Sequence, residues 1–538
     1  MVKLIAPFAF LAFAAAADPF KWQPCPDVGK PVVVGLPDSK NPLLRCGSLT
    51  VPIDYSNAAK SETIEIAVRR YQTNSTQRLG TILLNPGGPG GSGLAMGSPS
   101  YIKLTGGLYD VLGFDPRGVG KSRRIKCSKN SYTDAVENER RDVKEIPFME
   151  ATSETSIGRF GAELDAQARR CQKYDGDYIK HISTATVARD MDAIRAALNE
   201  PVTNFLGYSY GTHLGATYVN MFPDRVGRIA IDSVVDPSIQ TGPYQIRRSQ
   251  SDSPLVLQAF LDECQKAGPL RCPLANPSDP DLFDTLSNFV DKVGENPLVL
   301  PTDDGDFYVL GAAEIRGRIF SALYRPTGWV QLADYLARLL GGKPLPGLSN
   351  PDTCPLPAPA PGYNMITNAV WFNDGDNSEP VDWNYWYEEA KNNVPFFGLP
   401  ASNAVQVQYW KIKPVERYAG PWDKTLKQPI LILQNQLDPT TGLGMAQHTA
   451  ELMGDNAVLV VRDGYGHATT NMPSTCIKNI MLDFFVNGTL PEPDTTCPVD
   501  VGPFDAPLER STDDDGYESA REAANEILNQ VFEATARL

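Results

Sequence analysis

Ser209 is the first residue whose surroundings indicate chemistry. It stands in the stretch GYSYG at residues 207–211, which follows the apolar run NFL and precedes THLGATYVNMF, a run compatible with a helix. Gly-x-Ser-x-Gly is the pattern that sets a nucleophilic serine on a sharp strand-to-helix turn. Glycines are needed on both sides because that turn is strained and side chains there would collide with neighbouring backbone. The pattern predicts a nucleophile at Ser209, although the glycines alone also fit a tight turn without chemistry.

The serine hydroxyl needs a base, and the chain offers four histidines. A neutral imidazole has to take the hydroxyl proton, because serine is a weak nucleophile at neutral pH. His213 lies inside the run after the serine, His181 precedes the strand, and His448 lies in the helical run GMAQHTAELMG. His467 lies in the glycine-bounded loop GYGH after a predicted strand, which is where this chain order places the base. We therefore predict that His467 is the base.

Two aspartates compete for the role of the carboxylate that orients the imidazole. Asp438 ends the predicted strand PILILQNQLD and gives the chain order Ser209, Asp438, His467. Hydrolases with this serine turn use that order. Asp232 ends the strand after the serine turn, where it could instead cap a turn. We favour Asp438 as the acid.

Acyl transfer also needs amide donors aimed at the developing oxyanion. The stretch NPGGPGGSG at residues 85–93 follows the strand TILL and offers N–H groups that no side chain shields. We assign the oxyanion hole to the N–H groups of Gly88 and Tyr210. A phosphate-binding loop is the competing interpretation of such glycines. It is disfavoured because GKS at residues 120–122 has Asp115 where that motif requires a glycine.

Short apolar segments alternate with helical patterns over most of the chain. Most segments are apolar at consecutive positions and end in Gly, Pro or Asp, as strands buried on both faces do. The helical patterns include TATVARDMDAIRAALNE, whose apolar residues recur every three or four positions. The alternation predicts an α/β protein with a mostly parallel sheet and helices on both faces. The predicted strands are 62–71, 81–86, 109–118, 203–209, 227–234, 429–438 and 457–463.

The region 240–415 interrupts this alternation. It is rich in proline and aromatic residues and contains helical runs such as SPLVLQAFLDECQKAG, so we predict an inserted, mainly helical cap. The core is then divided into residues 18–239 and 416–500. Residues 501–538 form a C-terminal tail whose terminal helix, being acidic, is expected to be solvated.

The first 17 residues are typical of a secretory signal peptide, with one lysine, an apolar stretch too short to span a bilayer, and small residues up to Ala17. We therefore expect a secreted, extracellular protein without a membrane anchor. Nine cysteines in an exported chain should mostly pair. Asn74 and Asn487 begin the glycosylation sequons NST and NGT. Proximity along the chain suggests the pairs Cys25–Cys46, Cys127–Cys171, Cys264–Cys272 and Cys476–Cys497, with Cys354 left over.

Charge and composition limit the kinds of partner and cofactor that we expect. The formal net charge is −15, and no cluster of Lys and Arg is long enough to follow a phosphate backbone, so nucleic acid is not an expected partner. Four histidines and the lack of any Cys-x-x-Cys pair make a zinc site improbable. We expect no metal and no cofactor, and the sequence leaves the oligomeric state open.

With these motifs in place, the chain resembles secreted α/β-hydrolases of the prolyl and tripeptidyl aminopeptidase type. The matching stretches are NPGGPGGSG, DPRGVGKS, LGYSYGT, IDSVVDP, LDPTTG and GYGH, in the order of the family, and they span roughly residues 45–500. The C-terminal part of the core corresponds to the region called tripeptidyl aminopeptidase-like. The resemblance implies that Ser209, Asp438 and His467 are nucleophile, acid and base.

The resemblance also implies a site for a free peptide N-terminus, since acidic groups of the cap hold the α-amine in enzymes of this type. Asp374, Asp376 and Glu379 are the candidates here, by Coulomb attraction. The same residues would also suit a solvated acidic loop. Relatives carry a cysteine shortly before this acidic group, whereas this chain reads NAVWFND. The missing cysteine would explain why Cys354 is left over.

Three functions remain at this point. The first is a secreted serine aminopeptidase that releases short N-terminal peptides through an acyl-enzyme on Ser209. The second keeps the triad and changes the substrate to an ester or lactone of a small secreted metabolite, which an aromatic-rich cap would suit. The third, a non-catalytic binding protein on the hydrolase fold, requires a broken triad. The triad in this sequence is complete, which disfavours the third function. Between the other two, the resemblance to aminopeptidases favours the peptidase.

Overall fold

A nine-stranded sheet forms the centre of the protein. The computed structural model describes residues 18–23, 25, 41–129, 154–238, 250–303, 305–347, 363–375, 382, 392, 394–397, 407–505 and 516–536. Within this part of the chain the strand order is β1-β2-β4-β3-β5-β6-β9-β10-β11, and β7 and β8 form a separate hairpin. The strands are β1 Leu44–Pro52, β2 Thr63–Tyr71, β3 Gly80–Asn85, β4 Tyr109–Phe114, β5 Thr203–Tyr208, β6 Val226–Asp232, β7 Leu298–Pro301, β8 Phe307–Leu310, β9 Ile430–Leu437, β10 Ala457–Tyr465 and β11 Thr496–Pro498.

In sheet order, the strands from β4 to β11 are parallel to one another. β2 pairs antiparallel with both of its neighbours, β1 and β4. Every residue of β3, β4 and β5 is buried, which explains the continuous apolar runs in the sequence. The α/β fold with a mostly parallel sheet is confirmed. β1, the β7–β8 hairpin and the three-residue β11 were not among the strands predicted from the sequence.

Helices cover both faces of the sheet. One face packs against α3 and α4, and the other packs against a larger cluster that includes α1, α5 and α12. The helical pattern after residue 474 forms α11 and then a short π-helical turn that ends at Gly488. The helices are α1 Pro99–Leu104, α2 Glu154–Ile179, α3 Thr184–Ala197, α4 Tyr210–Met221, α5 Ser253–Ala267, α6 Leu282–Glu295, α7 Ala312–Leu323, α8 Trp329–Leu340, α9 Tyr363–Asp374, α10 Leu443–Met453, α11 Thr475–Leu482 and α12 Tyr517–Ala536.

The chain order departs from the sheet order at one place that matters for the site. β3 is followed in the chain by β4 on one side, whereas β5, its other neighbour, comes after α2 and α3. In open parallel sheets, ligands bind outside the carboxyl ends of the strands where the order reverses in this way. The glycine-rich stretch 85–93 begins at the end of β3, and Ser209 follows β5. Both therefore lie at this switch point.

The segment between β6 and β9, which we call the cap region, contains α5 to α9 and the β7–β8 hairpin. It is tied to the core by contacts near the ends of strands. Ser253 Oγ at the start of α5 donates a hydrogen bond of 2.6 Å to the carbonyl oxygen of Pro439, just after β9. Thr367 Oγ1 in α9 donates one of 2.6 Å to the carbonyl oxygen of Pro89. The cap region thus contacts two loops that carry predicted site residues.

Four disulfides join the cysteines in the pairs that proximity suggested: Cys25–Cys46, Cys127–Cys171, Cys264–Cys272 and Cys476–Cys497. Cys354 lies outside the described residues. Among the helices described, none combines the length and the apolar character needed to cross a membrane.

The C-terminal helix differs from the sequence prediction. We expected a solvated helix because the sequence there is acidic, but α12 buries an apolar face formed by Tyr517, Ala520, Ala524, Ile527, Leu528 and Phe532. These residues recur every three or four positions, so the amphipathic pattern was readable. The acidic residues occupy the opposite face of the helix, so the acidic charge does not mean that the whole helix is solvated.

Candidate active site

Ser209 lies on the sharp turn between β5 and α4. Its backbone has φ 57° and ψ −127°, a conformation that residues with side chains rarely adopt. Its N–H donates a hydrogen bond of 3.0 Å to the carbonyl oxygen of Asp232, at the end of β6. The side chain is 8% exposed. The turn thus presents one hydroxyl at the carboxyl edge of the sheet.

At the two glycines that flank the serine turn, Gly207 and Gly211, there is no room for a side chain. A Cβ on Gly207 would lie 2.4 Å from the Phe205 ring and 2.5 Å from the carbonyl oxygen of Gly211. A Cβ on Gly211 would lie 2.8 Å from the carbonyl oxygen of Asn85, at the end of β3. Real Cβ atoms essentially never come so close to other atoms. The close packing of β3, β5 and α4 therefore accounts for the glycines of the motif.

Asp438 and His467 form a buried pair. His467 Nδ1 lies 2.8 Å from Asp438 Oδ2 and 3.0 Å from Oδ1, and both side chains are almost completely buried. The N–H groups of Thr440 and Thr441 each donate to Asp438 Oδ1 at 2.9 Å, and Thr441 Oγ1 donates to Oδ2 at 2.9 Å. Three donors besides the imidazole therefore fix the carboxylate. An aspartate held in this way can orient a histidine ring and stabilise its charged form.

Asp232, the competing acid, contacts a different group. Its carboxylate accepts hydrogen bonds from Thr469 N–H at 2.9 and 3.1 Å and from Thr469 Oγ1 at 2.7 Å. Burial raises the pKa of this carboxyl to about 6. Ser233, the next residue, accepts a hydrogen bond from Ala468 N–H through Oγ at 2.7 Å. Asp232 and Ser233 thus hold the loop that carries His467, at the two residues that follow the histidine.

Asp232 also connects the serine to this loop, because its carbonyl oxygen binds Ser209 N–H while its carboxylate binds Thr469. The structure brings Asp438 and His467 into contact and places Ser209 on the neighbouring turn. Among the described residues no hydrogen bond joins Ser209 Oγ to His467. Bonds between a nucleophile and its base are often long before substrate binds and tighten in the complex.

The glycine-rich loop after β3 packs directly against the serine turn. Gly87 has φ 94°, and a Cβ there would lie 2.8 Å from Ser209 Cβ and 3.0 Å from Tyr210 N. Asn85 Oδ1 accepts a hydrogen bond from Gly87 N–H at 2.9 Å and so shapes the loop. The N–H groups of Gly88 and Tyr210 donate no hydrogen bond to any described residue. Two free amide donors therefore lie near Ser209.

Tyr324, at the end of α7 in the cap region, contacts the acid and the base loops. Its carbonyl oxygen accepts a hydrogen bond of 3.1 Å from His467 N–H, and its ring stands edge-on to the imidazole at 5.2 Å between centroids. Its hydroxyl accepts a hydrogen bond from Thr440 Oγ1. Tyr324 was not predicted from the sequence, since nothing in the local pattern around 324 relates it to residues more than 110 positions away.

Asp374, proposed from the resemblance to bind an α-amine, is buried at the end of α9. Thr184 donates to it through N–H at 2.9 Å and through Oγ1 at 2.5 Å. Burial raises the pKa of Asp374 to about 7. Buried His213 lies close, with Nε2 3.9 Å from Asp374 Oδ2, and burial lowers the pKa of this histidine to about 3. Asp376 and Glu379 lie outside the described residues.

The remaining predicted positions lie elsewhere. His448, in α10, has Nδ1 2.5 Å from Asp236 Oδ2, and His181 lines a separate polar cleft of about 680 Å³ where burial lowers its pKa. Asn74 and Asn487 are exposed.

Comparisons with known proteins agree with this architecture. A sequence profile of the α/β-hydrolase fold matches residues 80–258, and a profile described as TAP-like protein matches residues 394–497. The chain is 30% identical over 486 residues to the tripeptidyl aminopeptidase of Streptomyces lividans, covering 84% of this chain and 83% of that protein. It is 27% identical over 523 residues to serine protease Hip1 of Mycobacterium tuberculosis, covering 92% and 94%. Carboxylesterase B of Mycobacterium tuberculosis is 28% identical over 479 residues, covering 84% and 86%. The chain therefore belongs to the α/β-hydrolase family that includes the tripeptidyl aminopeptidases.

Proposed function

We propose that the protein is a secreted serine aminopeptidase that removes short peptides from free N-termini. The observation that carries the proposal is the buried Asp438–His467 pair beside the strained turn of Ser209. The named relatives include a tripeptidyl aminopeptidase and a serine protease, which supports a peptide as substrate. The roles are nucleophile for Ser209, general base for His467 and orienting acid for Asp438.

The reaction follows from these positions. Ser209 Oγ attacks the scissile carbonyl carbon while His467 Nε2 takes the hydroxyl proton, and Asp438 holds the imidazole through Nδ1. The carbonyl oxygen becomes negative and is stabilised by the N–H groups of Gly88 and Tyr210. His467 then gives the proton to the leaving amine, which leaves an acyl-enzyme on Ser209. A water molecule, deprotonated by the same imidazole, releases the N-terminal fragment.

Recognition of the substrate α-amine falls to carboxylates other than Asp374. The carboxylate of Asp374 already accepts two hydrogen bonds from Thr184, so it is poorly placed to bind an ammonium group as well. Of the three acids named from the resemblance, we keep Asp376 and Glu379 as candidates for the α-amine. Asp374 then has the structural task of joining α9 to the start of α3.

Secretion is part of the same proposal. The leader-like residues 1–17 and four disulfides fit an oxidising compartment, and the exposed Asn74 and Asn487 fit glycosylation there. Export with removal of the leader predicts a mature N-terminus at Asp18. N-terminal sequencing of protein from culture medium tests this, and protein found only inside the cells contradicts it.

Ester hydrolysis is the second candidate, favoured by the similarity to a carboxylesterase. The same triad serves both reactions, so substrates rather than residues separate them. The deciding experiment compares Ala-Ala-Ala p-nitroanilide, its N-acetylated form and p-nitrophenyl acetate on purified protein, with Ser209→Ala as control. The aminopeptidase is supported by turnover of the free anilide that acetylation abolishes. Turnover of the ester alone contradicts it.

A further inference from the structure

The C-terminal helix α12 reaches the catalytic histidine. The ring of Phe532 stands edge-on to the imidazole of His467, with centroids 4.6 Å apart. Phe532 also packs near the ring of Tyr324, at 6.0 Å. One residue earlier, Val531 lies against the glycine-rich loop, since a Cβ on Gly91 would fall 2.7 Å from Val531 Cγ1. The end of α12 therefore borders both the base and the loop that carries the proposed oxyanion hole.

About two to three turns earlier, α12 is anchored beside the same histidine loop. Arg521 Nη1 donates to the carbonyl oxygen of Thr470 at 2.7 Å, and Asn525 Nδ2 donates to it as well. Thr470 Oγ1 in turn donates to Asn525 Oδ1 at 2.8 Å. Tyr101 in α1 donates through its hydroxyl to the carbonyl oxygen of Ala524. The helix is thus fixed in position along the site, and its side chains there have defined places.

Asn529 lies on α12 between Asn525, which binds Thr470, and Phe532, which contacts His467. It comes one turn after Asn525 and three residues before Phe532, so the three side chains share about 60° of the helix surface. Asn529 is only 6% exposed, yet its Oδ1 accepts no hydrogen bond from any residue that the structure describes. A buried acceptor without a partner opposes folding, and such groups are uncommon in native proteins, so this one calls for a donor from outside the chain, such as a ligand or a water molecule.

We propose that Asn529 is a substrate-binding residue, whose Oδ1 accepts a hydrogen bond from an N–H of the bound peptide beside the ring of Phe532. This N–H belongs either to the α-ammonium group of the substrate or to one of its backbone amides. This inference rests on the proposed peptidase function, because it needs a peptide in the site. It adds a residue from the C-terminal tail, which the family motifs do not include.

Binding can be measured without peptide cleavage. The inhibition constant of Ala-Ala-Ala amide, and of its N-acetylated form, is determined against hydrolysis of p-nitrophenyl acetate by the full chain. Asn529→Leu, which removes the acceptor at similar volume, should weaken inhibition by Ala-Ala-Ala amide about tenfold. Its rate on the small ester should stay within about twofold. Gln530→Leu, the same kind of change at the exposed neighbouring position, is the matched control and should leave both quantities unchanged.

The two forms of the inhibitor identify the donor. Weaker inhibition by the free-amine form alone assigns the ammonium group, and Asn529→Asp should then strengthen inhibition by that form only. Equal weakening of both forms assigns a backbone amide. The melting temperature of Asn529→Leu should equal or exceed that of the Gln530→Leu control, because no hydrogen bond is lost. Asn529→Ala serves as a second variant that lacks the acceptor should the leucine variant not fold.

Three results overturn the inference: unchanged inhibition constants in Asn529→Leu or Asn529→Ala, no inhibition of the wild type by either peptide, or a parallel loss of ester turnover and melting temperature that Gln530→Leu does not share. The proposed function is tested separately by turnover of Ala-Ala-Ala p-nitroanilide. If the protein binds the peptide through Asn529 but does not cleave the anilide, the proposed function is contradicted and the assignment of Asn529 as a binding residue stands.

Discussion

The carbonyl oxygen of Tyr324 accepts a hydrogen bond of 3.1 Å from the N–H of His467, and the tyrosine ring stands edge-on to the imidazole. The partner comes from the cap region, at the end of α7, whereas His467 belongs to the core. Gly466 allows this approach, because a Cβ there would lie 2.6 Å from Pro326 and 2.9 Å from the Tyr324 carbonyl oxygen. The position of His467, the proposed base, therefore depends on the cap region as well as on the sheet.

Removing the Tyr324 ring should displace the base. Tyr324→Ala leaves a void beside His467, and misplacement of a catalytic group by about 1 Å lowers turnover by about 100-fold. The variant should also lose about 3 to 5 kcal/mol of unfolding free energy. Tyr324→Phe keeps the ring and loses only the hydroxyl that binds Thr440, so its turnover should fall less than tenfold. Steady-state kinetics and urea unfolding measure both effects. Equal turnover in the two variants would mean that the ring does not position His467.

The two buried aspartates should respond differently to amide replacement. Asp438→Asn removes the carboxylate that binds His467 Nδ1, and kcat should fall about 10⁴-fold, the effect of losing the orienting acid in a serine hydrolase. Asp232→Asn weakens the contacts to Thr469 and should cost about 1 to 3 kcal/mol of stability with a much smaller loss of kcat. Kinetics and thermal melts of both variants decide the assignment. A larger kcat loss in Asp232→Asn would reverse the roles that we propose.

The core of the site is local in sequence, and this is why it could be predicted. The serine turn is written in GYSYG, and the ends of β9 and β10 carry Asp438 and His467 in the expected order. The buried strands β3 to β6 and β9 have continuous apolar runs that identify a parallel sheet. Because the carboxyl ends of parallel strands lie at one edge of the sheet, residues that follow these strands are expected at the same edge.

The residues that the sequence did not predict come from distant segments. Tyr324 and Phe532 both touch His467, from the cap region and from the C-terminal helix, and no local periodicity records such contacts. The acidic charge of the tail favoured a solvated helix, yet its opposite face is buried against the site. Asp374 was assigned by resemblance alone, and the structure places it in contact with Thr184. Packing between separate segments decides these positions.

The close approach of Gly87 to the serine turn gives a sharp test of the oxyanion loop. Gly87→Ala would put a methyl group 2.4 Å from the Tyr208 carbonyl oxygen and 2.8 Å from Ser209 Cβ, and the loop would have to move. Turnover should fall about 100- to 1,000-fold, as when an oxyanion donor is lost. Gly107→Ala is the matched control, since Gly107 also has a positive φ, of 81°, but nothing lies within 4 Å of its added Cβ. It should retain turnover, and comparable losses in both variants would attribute the effect to backbone strain alone.

Asp374 should make stability depend on pH. Its pKa of about 7 lies above the ordinary 3.8 because burial disfavours the charged carboxylate. The folded protein therefore holds this proton to higher pH than the unfolded chain does. The stability that the neutral carboxyl contributes is complete below about pH 4 and is lost as the pH rises through about 7. Asp374→Asn cannot ionise, so its melting temperature should fall less than that of the wild type between pH 5 and pH 8. Asp177→Asn, at an exposed aspartate, should follow the wild type. Parallel melting curves for wild type and Asp374→Asn across this range would show that burial does not raise the pKa of Asp374.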